Sequence, residues 1–229
     1  MTTPTPPSAQ PQRVRDEPWQ RRMRDLIGEL YLKEGGLTRD APGTLARWRR
    51  ALGRTTQQSP VLSMEIARVI GTGENDGREP HLDAIHHSLA LLAAHQQSAS
   101  QPMHHDHGSA SLGAQCRELC RRVQAEQASG SGREKKDPRG PQYADESKGV
   151  VRRLEAAVSA RSVKELVGHV RGLVPMLRKA ELPLDYVRLA AEFDAWASPN
   201  RRGRVARRWG TDFYRPFPKP QDAAPSSSS

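Results

Sequence analysis

The sequence predicts an all-α protein, two small helical bundles in series joined by a flexible linker, and three observations carry that prediction. Apolar residues recur at three- and four-residue intervals from Trp19 to Phe213, the period of an α-helix with one buried face. No segment sustains the period-two alternation of β-branched residues that a strand needs. A single sharp change of composition, residues 129–143, runs through Ser, Gly, Lys, Asp and Pro and cannot pack a core. The chain is thereby divided into a tail (residues 1–15), a first bundle (16–128), the linker (129–143), a second bundle (144–217) and a Pro/Ser tail (218–229). Both tails lack periodicity and read as disordered.

The elements follow in order. Trp19, Met23, Leu26 and Leu30 form the first apolar stripe, closed at Gly35-Gly36; Leu45, Trp48 and Leu52 form the second, closed at Gly53. Ser59-Pro60 is an N-cap and first-turn pair that opens a third helix through Leu62, Ile66, Val69 and Ile70, ended at Gly71. Leu82, Ile85, Leu89 and Leu92 mark a fourth, and Leu112, Cys116, Leu119 and Val123 a fifth, entered from Ser109 or Ser111. Beyond the linker come a helix near Val150 to Val158, one capped by Ser162 with Val163, Leu166, Val170, Leu173 and Leu177 on its face, and one from Leu184 to Ala197. Pro175 should kink the middle one or split it, since it lacks the donor for the Arg171 carbonyl. A last helix, from Arg201 to Tyr214, is aromatic on one side and charged on the other.

Charge points to the partner. A net charge of +10 and a pI near 10.2 make a surface attractive to a polyanion. The cations are also organised. Arg47, Arg50 and Arg54 sit at i, i+3 and i+7; Lys164, Arg171 and Arg178 recur every seven residues; Arg152 and Arg153 adjoin. In the last helix Arg201, Arg204 and Arg208 share a stripe beside Val205, Trp209 and Phe213, with Arg202 and Arg207 nearby and only Asp212 opposing them within the segment. An ordinary solvated face mixes both signs at i and i+4, whereas these stripes hold almost no acid. Guanidinium forks match phosphate oxygens, so the expected ligand is nucleic acid.

Other classes find less support. No apolar run approaches the roughly 20 residues that cross a bilayer, and the first residues lack the basic and apolar regions of a signal peptide, so a soluble, cytoplasmic protein is expected. Cys116 and Cys120, one turn apart, read as small core residues. His81, His86, His87 and His95 point in divergent directions, and His104-His105-Asp106-His107 lacks paired metal-ligand spacing, so no metal site and no cofactor are expected. Gly71-Thr72-Gly73 follows a helix and lacks the Lys-Ser/Thr of a phosphate loop; no Gly-x-Ser-x-Gly and no carboxylate cluster is present, so no catalytic residue is assigned. Trp48, Trp196, Trp209 and Phe213 fall on apolar faces, as core residues rather than a base-stacking platform. A helix-turn-helix regulator remains the alternative, but no helix clearly presents base-reading residues at its N-terminus.

With these residues in place, the chain from Trp19 to Tyr214 resembles the CasB family, the small subunit of the type I-E CRISPR surveillance complex, Cascade. The likeness rests on Gly43 to Gly53, His95-Gln96-Gln97-Ser98, Met103-His104 and Ser111-Leu112-Gly113 in the first half. In the second it rests on Ser162 to Leu166, His169 to Val174, Leu184 to Leu189 and the Arg201 to Tyr214 segment. The resemblance implies a helical, non-enzymatic protein present as two copies in a crRNA-containing complex, touching a second copy of itself, the backbone subunits and the large subunit. It also implies contacts to the target and displaced DNA strands that help hold an R-loop open. The expected contact residues remain Arg47, Arg50, Arg54, Arg152, Arg153, Lys164, Arg171, Arg178, Arg201, Arg202, Arg204, Arg207 and Arg208.

Overall fold

Nine α-helices are present among the described residues of the computed structural model, which are 17–70, 80–106, 108–130 and 142–215. They are α1 (Pro18–Gly28), α2 (Ala41–Arg50), α3 (Pro60–Ile70), α4 (Pro80–His95), α5 (Leu112–Gly130), α6 (Gln142–Val158), α7 (Val163–Lys179), α8 (Tyr186–Ala197) and α9 (Pro199–Tyr214). Among these residues there is no strand, only isolated bridges at Tyr31–Leu37 and His104–Leu184. The tails, Gly71 to Gly73, His107 and the centre of the linker lie outside the described residues.

Local chemistry sets the helix ends. The Ser162 hydroxyl accepts from the Glu165 amide at 3.2 Å to start α7, and the Asp185 carboxylate accepts from the Arg188 amide at 2.9 Å to start α8. Ser111, not Ser109, caps α5, accepting from the Ala114 amide at 3.3 Å. α2 stops at Arg50, and Gly53 turns the chain at φ +81, a left-handed conformation that costs glycine least. Arg54 is therefore carried by this turn and not by the helix. α7 is a single helix and is not split at Pro175; Val174 and Leu177 on either side of the proline are buried in the core.

One contiguous hydrophobic core runs through both halves of the chain. α4 packs most extensively against α8, with α2 and α3 on its other sides, while α5 is covered by α6, α7 and α9. Trp196 and Trp209 stack at 5.9 Å between α8 and α9, both fully buried. Their ring nitrogens are satisfied by the Ala160 carbonyl and by Glu192. Gly113 lies so close to the Trp209 backbone that any β-carbon would collide with its carbonyl, which fixes how closely α5 and α9 cross. This is the physical content of the Ser111-Leu112-Gly113 motif: a cap, a core residue and a crossing point.

The His95-Gln96-Gln97-Ser98 motif is a stitch. His95 Nδ1 pairs with the Tyr186 hydroxyl at 2.8 Å. Gln96 Oε1 accepts from the Tyr31 hydroxyl and the Met103 amide, both at 2.8 Å, and its amide nitrogen donates to the Gln101 carbonyl at 2.9 Å. His104 Nδ1 accepts from the Tyr186 amide at 3.1 Å. Together these tie the segment after α1, α4, α8 and the segment after α4 into one unit.

Candidate nucleic-acid interface

The stripes read separately in the sequence become a band in space. The guanidinium of Arg171 on α7 lies over Gly53, so close that a β-carbon there would stand 3.0 Å from Nη1. Arg153 on α6 lies in the same way over Gly172 of α7, with Nε 3.1 Å from the corresponding point. The turn after α2 thus meets α7, and α7 meets α6, through arginines laid across glycines. Arg50, Arg54, Arg171 and Arg153 are all exposed, and none forms an ion pair among the described residues. Arg47, at the end of the band, is held by Glu65 at 3.1 Å and by the Thr44 hydroxyl at 2.8 Å. Glu65 also accepts from the indole nitrogen of the buried Trp48. A core side chain therefore orients a surface arginine through one carboxylate.

The remaining sites divide. Arg204, Arg207 and Arg208 are exposed on α9, as the sequence pattern expects, and form a second cationic group. Arg201 pairs with buried Asp194 at 3.5 Å, and Asp194 also holds His81 at 3.0 Å. Arg202 rests over the Trp196 ring at 5.9 Å and donates to the Trp196 carbonyl at 3.3 Å. Arg178 is half-buried and donates to the Ala94 carbonyl at 3.1 Å, which satisfies an orphan acceptor at the end of α4. Lys164 is exposed near the start of α7. Arg152 lines a separate cavity of about 420 Å³ with Cys120, Val151 and Phe213.

Asp212 does not oppose the α9 arginines. It faces inward, accepting from the Ser111 hydroxyl at 2.6 Å and from Arg188 at 2.9 Å. Arg188 also holds Glu192 at 3.0 Å, and Glu192 in turn accepts from the Trp209 indole at 2.7 Å. Glu192 is fully enclosed, and burial raises its carboxyl above the usual range against the pull of Arg188. The histidines likewise serve structure. Burial lowers His95 to about 3 and both His87 and His104 to about 4, so they are neutral at pH 7. His86, lowered by burial as well, bonds the Arg54 carbonyl at 3.0 Å and fixes the turn that carries that arginine. Among the described residues no three His, Cys, Asp or Glu converge as metal ligands. Cys116 and Cys120 are buried free thiols.

Two features escaped sequence reasoning. Nothing in the sequence around Glu65 marks it, and only the fold brings it to Trp48 and Arg47. Val61 and Met64 are 52% and 74% exposed on α3. The signal for them was present: with Leu62, Ile66 and Val69 facing the core, the apolar arc of α3 is too broad for one stripe.

The helical fold that carries these arginines is shared with solved structures. CasB from Thermobifida fusca superposes with a TM-score of 0.58 at 23% identity, covering 85% of this chain and 94% of that one. CasB from M. ruber gives 0.58 at 20% identity, covering 85% and 93%. No curated protein matches the chain in sequence. Residues 44–214 match the family of CRISPR-associated protein Cse2, and the chain belongs to that family, the CasB small subunits of the type I-E CRISPR complex Cascade. The helix-turn-helix alternative gains no support from these comparisons. No helix among the described residues is long and apolar enough to cross a membrane.

Proposed function

We propose that this chain is a non-catalytic small subunit that contacts DNA backbone through its arginines and stabilises the R-loop of a crRNA-guided complex in antiviral defence. The observation that carries the reading is the set of exposed arginines Arg50, Arg54, Arg171 and Arg153, brought together where Arg171 lies over Gly53 and Arg153 over Gly172, with no acid paired to it among the described residues. Opening a target duplex against a guide is a near-balanced exchange, so modest contacts to a strand's phosphates are enough to tip it. The guide supplies sequence, so this subunit needs phosphate contacts without base-edge readout. Arg204, Arg207 and Arg208 on α9 offer a second, separate strand path.

The partners in this reading are a second copy of the chain, the backbone and large subunits, the crRNA-containing complex, and the target and displaced strands, all in the cytoplasm. The test is assembly. The chain should co-purify in two copies with crRNA-bound backbone subunits, and complexes lacking it should form less persistent R-loops on a matched target. Absence of the chain from a fully assembled complex, or R-loops of equal lifetime without it, overturns the proposal. Labelled DNA or RNA incubated with the purified chain and divalent metal ions should stay intact.

A further inference from the structure

We infer that the cavity between the end of α2 and the start of α3 receives one unpaired nucleobase of a single strand whose phosphates lie along the arginine band, an inference that rests on the phosphate-contact reading above. The cavity is about 340 Å³, at the small end of the range of ligand sites, and suits one ring system better than a protein segment. Arg47, Arg50 and Arg54 form one side of it, and Pro60, Val61 and Leu62 the other. That pairing matches a nucleotide: a flat apolar ring tethered to an anion. Guanidinium planes stack on base faces, and aliphatic side chains cover the opposite face.

Three further observations favour this occupant. The Arg47 wall is held in place before any ligand arrives, by Glu65 and through it by Trp48. Val61 remains 52% exposed, and Met64, one turn further on the same side of α3, 74% exposed, so apolar surface stands open beside the cations. The cavity also adjoins the band directly, because Arg54 follows Gly53, over which Arg171 lies. A strand leaving the cavity past Arg54 runs toward the Arg171 guanidinium, which lies over the adjoining Gly53. Such a site favours single-stranded over duplex nucleic acid, since a paired and stacked base cannot enter it.

The experiment compares the full chain's affinity for a fluorescent oligothymidine and for an abasic strand of equal length and equal phosphate number, by anisotropy at about 50 mM salt. The abasic strand should bind about five- to tenfold more weakly, the worth of one stacked base. A Val61→Ser/Met64→Ser variant, altered only at exposed positions, should bind both strands at the parent's abasic affinity. Equal parent affinities overturn the base site while leaving the phosphate contacts standing. If the same double variant then also fails to enter the crRNA-bound complex, the patch is a protein contact. A variant that weakens both strands equally overturns it too. Failure of the parent to bind either strand removes the phosphate reading, and this inference falls with it.

Discussion

Replacing Arg50, Arg54, Arg153 and Arg171 together by Ala tests whether the band is an interface or a solvated face. All four side chains are exposed, and Arg47 is left in place because its bond to Glu65 belongs to the support of α2 and α3. Exposed substitutions of this kind usually cost within about 0.5 kcal/mol each, so thermal unfolding of the variant should stay close to the parent's. Each phosphate neutralised on a single strand contributes about 0.7 to the slope of log affinity against log salt, so losing four contacts should flatten that slope by about 3. Between about 50 and 200 mM salt the parent should then lose roughly 50-fold more affinity than the variant does. Anisotropy titrations on one unstructured strand at several salt concentrations measure this directly, and the loss should be the same for unrelated sequences. A parallel Arg204→Ala/Arg207→Ala/Arg208→Ala variant locates any remaining slope on α9. An unchanged slope in the fourfold variant, with the whole effect in the α9 variant, refutes the band as an interface.

Other expectations concern the framework that positions these arginines. Arg188→Met strands the buried Glu192 carboxylate without its cation and should cost about 3–5 kcal/mol in urea unfolding, whereas Arg188→Met/Glu192→Gln should recover most of it; additive losses would refute the coupling. Gly113→Ala places a β-carbon against the Trp209 carbonyl, which cannot rotate aside as a side chain would, and should cost about 1–3 kcal/mol; an unchanged melting temperature would contradict the close crossing of α5 and α9. Stability should fall on acidification from pH 7 to 5. His87, His95 and His104 are held neutral down to about pH 4, 3 and 4, so below their unfolded value of 6.5 the unfolded chain binds more protons and each costs up to about 1.4 kcal/mol per pH unit. Buried Asp185, raised to about 6, and Glu192, also raised, act in the opposite sense and offset part of this loss. A melting temperature that holds or rises from pH 7 to 5 would refute the balance, and His95→Gln should flatten the curve.

What the sequence discloses and what it withholds divide along contact distance. Helices are legible because their cause is local: the spacing of Trp19, Met23, Leu26 and Leu30, or the Ser162 cap, lies within a turn or two of chain. Of the two outcomes open at Pro175, the split is absent, and the reason is not local: the residues that α7 buries on either side of it pack against other elements. The role of His95-Gln96-Gln97-Ser98 could not be read from its neighbours, because the hydroxyls that engage His95 and Gln96 belong to residues 91 and 65 positions away. The site follows the same rule. That Arg47 and Arg50 share a face of α2 is a statement about helical period, but that Arg54 joins them from the turn at Gly53, that Arg171 lies over Gly53 and that Arg153 lies over Gly172 are statements about the tertiary fold. Asp212 shows what this does to electrostatics. By spacing it is the one acid set against the α9 arginines, yet the fold turns it to Arg188 and Ser111, where it helps satisfy the charge of a buried network. Arg201 and Arg202, which the pattern places with the outward cations, are drawn to Asp194 and Trp196. The acid and two of the cations are thus spent on the α8–α9 junction, and the outward charge of α9 is set by Arg204, Arg207 and Arg208, fixed on a helix whose buried Trp209 holds it to the core.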